Sequence, residues 1–434
     1  MPKQPLCSMV SSRVWRDMMS NQLELFHVQE AYAKADKPLS NDELYDSVAE
    51  LAGIPKSALN EQSEIGKAKV KRSKLKRQIR WYQQTLKSMN LLQKVDGERG
   101  VWELSSKTKK GLHEALGGVR LVAYSTNLGL AVWSNNKSFF SDLDEPVHLC
   151  VTSPPFPLRI QRGYGNVDEA KWVDFITQAL EPIVKNLVPS GSVVLNVSND
   201  IFEAKSPSRS LYVERMVLAL HDRLGLSLMD RWPWINLSKP PSPTQWACVN
   251  RYQLCSGWEP VYWFTNDPDR VRSDNRRVLI PHTEKHQKLM AQGGDSRVVS
   301  YGDGAYRLRG NAFSNVTEGR IPKNVIQRGH RCADTLELRR IAKELGLPPH
   351  PAMFPTDIPE MAIRFLTEEG DLIVDPFSGS NKSGLAAERN NRRWIACDII
   401  LEYIRTQAEM FTGFDGFWMN PAIGMVGTGV GQYS

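Results

Sequence analysis

Two short stretches of the chain combine constrained backbone with side chains able to hold a polar ligand. The first is Asp375-Pro376-Phe377-Ser378-Gly379-Ser380-Asn381-Lys382-Ser383-Gly384, which follows the apolar run LIV and leads into LAAER. A glycine-rich turn between a strand and a helix lets the backbone approach a ligand closely. The helix start adds free N–H groups. Asp398 lies 23 residues beyond Asp375, at the end of the next apolar run, WIAC. An acid at the tip of the neighbouring strand is placed to accept from a ribose diol. The stretch is not a P-loop, because the spacing GxxxxGK[ST] is absent. The second stretch is Thr152-Ser153-Pro154-Pro155-Phe156, straight after VHLCV. Its two prolines fix the backbone and remove two N–H donors. What remains is a set of acceptors, the Ser153 hydroxyl and main-chain carbonyls, beside the flat ring of Phe156. That set suits an aromatic base with an exocyclic NH2, whose hydrogens the acceptors take while the ring stacks.

Such loops need strands to carry them. From about residue 117 apolar runs alternate with amphipathic segments, which implies a largely parallel sheet flanked by helices. LGLAVWSN, VHLCVTS, SVVLNV, DLIVD and WIACDI read as strands. Residues 167–187 place Trp172, Phe175, Ile176, Ala179, Leu180, Ile183, Val184 and Leu187 on one helical stripe. Asp357 and Glu360 bracket another helix start, and a third helix is expected over about 382–390. The fold class is therefore α/β. Residues 265–345 break the alternation and are rich in Arg, Gly, Asn and Asp, as in an inserted, loop-rich segment. The last 22 residues hold six glycines with Phe414, Phe417 and Trp418. They read as a flexible tail or as an oligomer contact, a homodimer included.

The chain has 434 residues, 41% hydrophobic and 24% charged, which excludes global disorder and gives a prior of two or three domains. No run of 18 apolar residues suggests a membrane span. The six cysteines form no CxxC pair, so neither a metal site nor a redox pair is expected. A reduced, cytoplasmic setting fits them. The net charge of +7 is uneven: residues 1–115 carry 20 Lys and Arg against 14 Asp and Glu. Eight of those cations fall within residues 67–80, without an acid, as suits a polyanion. Ser40 with Glu43 forms a capping box for a helix that Gly53 ends. A second helix, IRWYQQTLKSMNLL, and two short strands around residues 96–100 follow. Helices and a small hairpin in this order resemble the winged-helix domain at the front of Mrr-type restriction proteins.

TSPPF together with DPFSGSNKSG resembles the exocyclic-amino DNA methyltransferases that use S-adenosyl-L-methionine. The SPPF motif precedes the cofactor motif by roughly 220 residues, an order that marks the β class of that family. The likeness runs from about 120 to 410 and includes LSKPPSP at 237–243, VYWF at 261–264 and HPAMFP at 350–355. Within the class, the PvuII-type cytosine-N4 enzymes share SPPF. The resemblance implies a Rossmann-like sheet in permuted order, with the chain divided at 1–115, 116–264, 265–345, 346–412 and 413–434. It makes Ser153, Pro154, Pro155 and Phe156 the catalytic set, and Asp375, Pro376, Phe377, Ser378, Gly379, Ser380, Asn381 and Asp398 the cofactor set. HPAMFP would pack beside the cofactor, and 265–345 would read the target. The implied partner is double-stranded DNA in a bacterial cytoplasm, with the base flipped out of the helix.

Cytosine N4 is the expected target and adenine N6 the alternative, since Ser153 can accept from either amino group. Methylation at carbon 5 needs a cysteine nucleophile, typically after a proline, and none of the six follows one. A zinc deaminase is excluded by the lack of HxE and PCxxC. An RNA or protein-amide methyltransferase fits less well with the basic front. A non-catalytic DNA-binding regulator fits poorly with intact Ser153, Phe156, Asp375, Gly379 and Asp398.

Overall fold

The structure, a computed structural model, describes residues 23, 27–28, 31–32, 35, 37–65, 70–88, 92–95, 100–104, 112–115, 118–158, 167–236, 238–424 and 426. At the front, helix α1 (Asn41–Leu51) begins with both halves of the Ser40–Glu43 capping box. Strands β1 (Gln62–Ile65) and β2 (Val70–Ser73) pair antiparallel, helix α2 (Lys74–Ser88) follows, and β3 (Leu92–Lys94) pairs with β4 (Trp102–Leu104). Leu44, Val48, Ile79, Leu86 and Trp102 are buried in this unit. The basic block does not precede the helix as expected. Its described part divides between β2 and the first two turns of α2, and the β1–β2 hairpin is not legible in so charged a sequence. Lys67, Lys69 and the turn at 96–99 lie outside the described residues, as does most of the leader over 1–35.

The main body is built on a ten-stranded sheet. Its strands in chain order are β5 (Arg120–Ser125), β6 (Gly129–Ser134), β7 (Val147–Thr152), β8 (Leu187–Asn196), β9 (Ser227–Ile235) and β10 (Trp258–Thr265). A separate hairpin of β11 (Val299–Tyr301) and β12 (Tyr306–Leu308) intervenes. The sheet resumes with β13 (Ile326–Gln327), β14 (Leu372–Asp375), β15 (Arg393–Asp398) and β16 (Trp418–Met419). The spatial order is β13-β9-β10-β8-β7-β14-β15-β6-β5-β16. The five strands from β8 to β6 are mutually parallel. The sheet is largely parallel as expected, but not wholly so: β10 and β5 run against the other strands, which makes their pairings with β8, β9, β6 and β16 antiparallel.

Alternate residues of the central strands feed two cores, one on each face. Leu149, Val151, Ile373 and Ala396 meet helices α8 (Asp357–Leu366), α9 (Lys382–Arg389) and α10 (Leu401–Ala408). Cys150, Val193, Leu195 and Val374 meet helices α4 (Glu169–Lys185) and α5 (Tyr212–Leu224). Shorter helices complete the body: α3 (Asn136–Phe140), α6 (Glu284–Ala291), α7 (Ala333–Glu344) and α11 (Pro421–Gly424). α4 tolerates Pro182 in its interior. The proline costs about 3 kcal/mol, whereas each fully buried large apolar side chain contributes about 1.5–3 kcal/mol. Trp172, Ile176, Leu180 and Ile183 are all fully buried and outweigh it.

Two sequence expectations are corrected here. The C-terminal stretch is not a tail over its described part. Trp418 and Met419 pair with Ser125 and Tyr124, and Phe417 packs near the Tyr124 ring. Its glycines include Gly416 at φ +72°, a turn position that leads into this edge strand. Residues 425 and 427–434 lie outside the described residues. The inserted segment is loop-rich only in its first part. Its end returns to the body as β13, parallel to β9, and as α7.

Candidate active site

β7 and β14 are adjacent and parallel, and both motif loops leave the sheet from their carboxyl ends. A crevice at such an edge is where open α/β sheets bind ligands. One hydrogen bond fastens the two exits together: Thr152 Oγ1 donates to Asp375 Oδ1 at 2.6 Å. Ser383 Oγ donates to Asp375 Oδ2 at 2.7 Å, and Phe377 N–H to Oδ1 at 3.1 Å. Burial nevertheless pushes the Asp375 carboxyl up to about 6, against the pull of these donors. Asn381, in the left-handed region at φ +48°, caps α9 through Gly384 N–H and donates from Nδ2 to Tyr124 Oη at 2.7 Å. Asp375 and Asn381 therefore do not line the cleft. Their hydrogen bonds shape the loop between them.

The loop between them does line it. Pro376, Phe377, Ser378, Gly379 and Ser380 form one wall of a cleft of about 460 Å³. Gly379 sits at φ +51°, and a Cβ there would come within 2.8 Å of His350 Nε2, so the position requires glycine. Asp398, at the end of β15, accepts from Gly379 N–H at 2.6 Å and from Ile400 N–H at 2.8 Å. Its carboxyl also rises to about 6, chiefly through burial, with nearby Asp375 adding to the shift. Lys382 turns away from the cleft. Its buried Nζ donates to the Phe354 carbonyl at 2.9 Å and to Thr335 Oγ1, pinning the HPAMFP stretch against the loop.

The facing wall is the SPPF turn, with Ser153, Pro154, Pro155 and Phe156 all on the cleft. Asn196 Nδ2 donates to the Pro260 carbonyl at 3.4 Å, so its Oδ1 faces Ser153 and accepts the hydroxyl hydrogen at 3.3 Å. The Ser153 lone pairs are left to accept. The Pro155 carbonyl takes Trp172 Nε1–H at 2.7 Å, and the Phe156 carbonyl takes Leu158 N–H. Among the described residues the Pro154 carbonyl takes no donor, which makes it the second acceptor of the turn.

Several lining residues do not stand out in the sequence. Glu114, Asn136, Val167 and Tyr403 come from separate elements, and no local pattern joins them. Phe175 lies on the α4 stripe and reads as core, yet it reaches the cleft and packs against Phe377 at 5.5 Å between centroids. His350, Met353 and Phe354 place the HPAMFP stretch on the wall.

The family model described as DNA methylase, that of the N6 and N4 methyltransferases, matches residues 147–410. The chain belongs to this family. It is accordingly a DNA methyltransferase that draws its methyl group from S-adenosylmethionine. The Mrr N-terminal domain matches residues 25–114. The type II methyltransferase M.PvuII of Proteus hauseri is 32% identical over 290 residues, 67% of this chain and 85% of that one. M.BglII of Bacillus subtilis is 24% identical over 276 residues, 62% of this chain and 65% of that one. Among solved structures, PvuII DNA methyltransferase (cytosine-N4-specific) superposes with a TM-score of 0.55 at 28% identity, covering 72% of this chain and 97% of that one.

The cleft fits the methyl donor of this family on its own chemistry. Among the described residues, two buried polar atoms of the cleft lining lack a protein partner, Ser378 Oγ and Asn136 Nδ2. An unpaired buried polar atom is costly, and a ligand bearing hydroxyl, amino and carboxyl groups would satisfy both. Asp398 adds a carboxylate at the tip of the neighbouring strand, β15.

Proposed function

We propose that the chain methylates the N4 amino group of a cytosine flipped out of duplex DNA at a specific sequence. The reading is carried by one juxtaposition: a hydroxyl turned to accept, Ser153, shares a cleft with the glycine-rich loop and Asp398. The cytosine-N4 specificity of PvuII DNA methyltransferase supports N4 over adenine N6. S-adenosylmethionine, when bound, supplies a methyl group on a positively charged sulfur. Pro376 to Ser380 would hold its amino-acid end, and Asp398 would accept from its ribose. Ser153 Oγ and the Pro154 carbonyl would take the two amino hydrogens, and Phe156 would stack on the base. An exocyclic amino nitrogen is a poor nucleophile because its lone pair is delocalised into the ring. Holding its hydrogens out of the ring plane restores the lone pair, and positioning supplies much of the acceleration. Sequencing DNA from a methylation-free host expressing the chain should return N4-methylcytosine at one position of one motif. N6-methyladenine there would replace the target base, and unmodified DNA would remove the function.

Cofactor affinity should depend on pH through Asp398. Its folded carboxyl titrates near 6, and accepting from ribose hydroxyls favours the ionised form. Binding should therefore be tightest above pH 6 and weaken below it, readable by calorimetry at pH 5 and 8. Stability of the free protein runs the other way. Because both Asp375 and Asp398 titrate near 6 in the fold and near 4 when unfolded, their contribution is complete below about 4 and is lost as pH rises through 6. A free protein with no loss of stability across that window would contradict this sign.

The front domain would add non-specific hold on the duplex. Lys71, Arg72, Lys74 and Arg77 are exposed on β2 and α2. Replacing all four by glutamine should reduce the slope of log affinity against log salt by about three to four, near 0.9 per phosphate contact. Cofactor affinity should be unchanged. An unaltered salt slope would show that these cations do not meet DNA.

A further inference from the structure

The loop between β9 and β10, residues 236–257, leaves the sheet at the same edge as the motif loops. β10 is antiparallel to both β8 and β9, with Trp258 opposite Ile235 and Val261 opposite Asn196. The foot of the loop is tied toward the SPPF turn. Ser256 Oγ and Lys239 Nζ both donate to Asp200, the lysine at 2.9 Å, and Lys239 also reaches Glu259 at 3.2 Å. Asp200 lies four residues beyond Asn196, the partner of Ser153.

The tip of this anchored loop is bare and apolar. Tyr252 is 68% exposed and Leu254 89%, the latter the most exposed large hydrophobic side chain among the described residues. Trp246 stacks on Tyr252 with planes 15° apart, giving the tip a stiff aromatic back. Arg251 is exposed beside it, and Arg328 and Arg331 are exposed on the segment that Asn236 joins through His330 at 3.2 Å. An apolar point with the Arg251 cation three residues before it, on the edge where a base must be drawn from a duplex, matches the stacked interior and phosphate exterior of DNA.

We propose that Leu254 is a wedge that enters the base stack at the space the target base vacates, with Arg251 on the neighbouring phosphate. This rests on the reading that the target is flipped from duplex DNA. Extruding a paired base costs unstacking and unpairing, and the cost is least for a base already unpaired. A wedge therefore matters only when the target is paired. The test uses the full chain, cofactor, and two oligonucleotide duplexes carrying the mapped site, one with the target cytosine opposite guanine and one with it opposite an abasic position. Leu254→Ala should slow methylation of the paired duplex by about tenfold and of the abasic duplex by less than about twofold. Leu254→Phe should retain the paired rate. Equal slowing on both duplexes, or none on the paired one, would overturn the wedge. A wild-type chain that methylates neither would overturn the underlying reading itself.

Discussion

Ser153→Ala is expected to lower methyl transfer by about two orders of magnitude while leaving cofactor affinity within about twofold. Removing one preorganised hydrogen-bonding group from a reacting centre costs on this scale. The turn would keep the Pro154 carbonyl, and the wall formed by Pro376 to Ser380 is untouched. The side chain is small and only half-buried, so the fold should persist. Phe156→Ala should forfeit a stacking contribution of about 1–3 kcal/mol, or one to two orders of magnitude in rate. The check is single-turnover methylation alongside melting curves with and without S-adenosylmethionine. Mutants that melt like wild type and methylate at its rate would remove the base-holding role from the SPPF turn.

Both motif loops are legible in the sequence because turn chemistry interrupts apolar runs there. Pro154-Pro155 follows VHLCV and the glycine turn follows LIV, and each signal is local. What is illegible depends on partners far along the chain. β9 carries Pro233, an unusual residue for a strand, and the structure sets it opposite Pro260 of β10. Phe175 looks like core by periodicity, but the α4 stripe is wider than the core it covers, and its margin opens on the cleft. The C-terminal glycines suggest a tail because composition says nothing of Trp418 pairing with Ser125 nearly 300 residues earlier. Asp375 reads as a ligand because of its place in the turn. Its donors, Thr152 and Ser383, show that an acid at a strand end can serve the loop instead.

Asp398→Ala should weaken S-adenosylmethionine binding by about two orders of magnitude, since hydrogen bonds to a charged group contribute about 1.5–3 kcal/mol each. The mutant also leaves Gly379 N–H and Ile400 N–H without their acceptor, so the loop that lines the cleft loosens together with the ribose contact. Asp398→Asn separates the two effects. It keeps one acceptor for the loop but turns a donor toward the other N–H and carries no charge. Calorimetric titration of both mutants, paired with thermal melts, should show folded proteins whose melting temperatures rise little on adding cofactor. Wild-type affinity in either mutant would move the ribose contact elsewhere.

If the two loops at the β7 and β14 edge form one methyl-transfer site for duplex DNA, the chain should methylate that substrate alone. The most direct measurement incubates the purified full-length chain with methyl-labelled S-adenosylmethionine and, side by side, duplex DNA, RNA and protein, then separates the labelled nucleosides and amino acids. The expected result is label in duplex DNA, recovered as N4-methyldeoxycytidine, and its loss in Ser153→Ala. Label confined to RNA or protein, label recovered as 5-methyldeoxycytidine, or undiminished transfer by Ser153→Ala would contradict it.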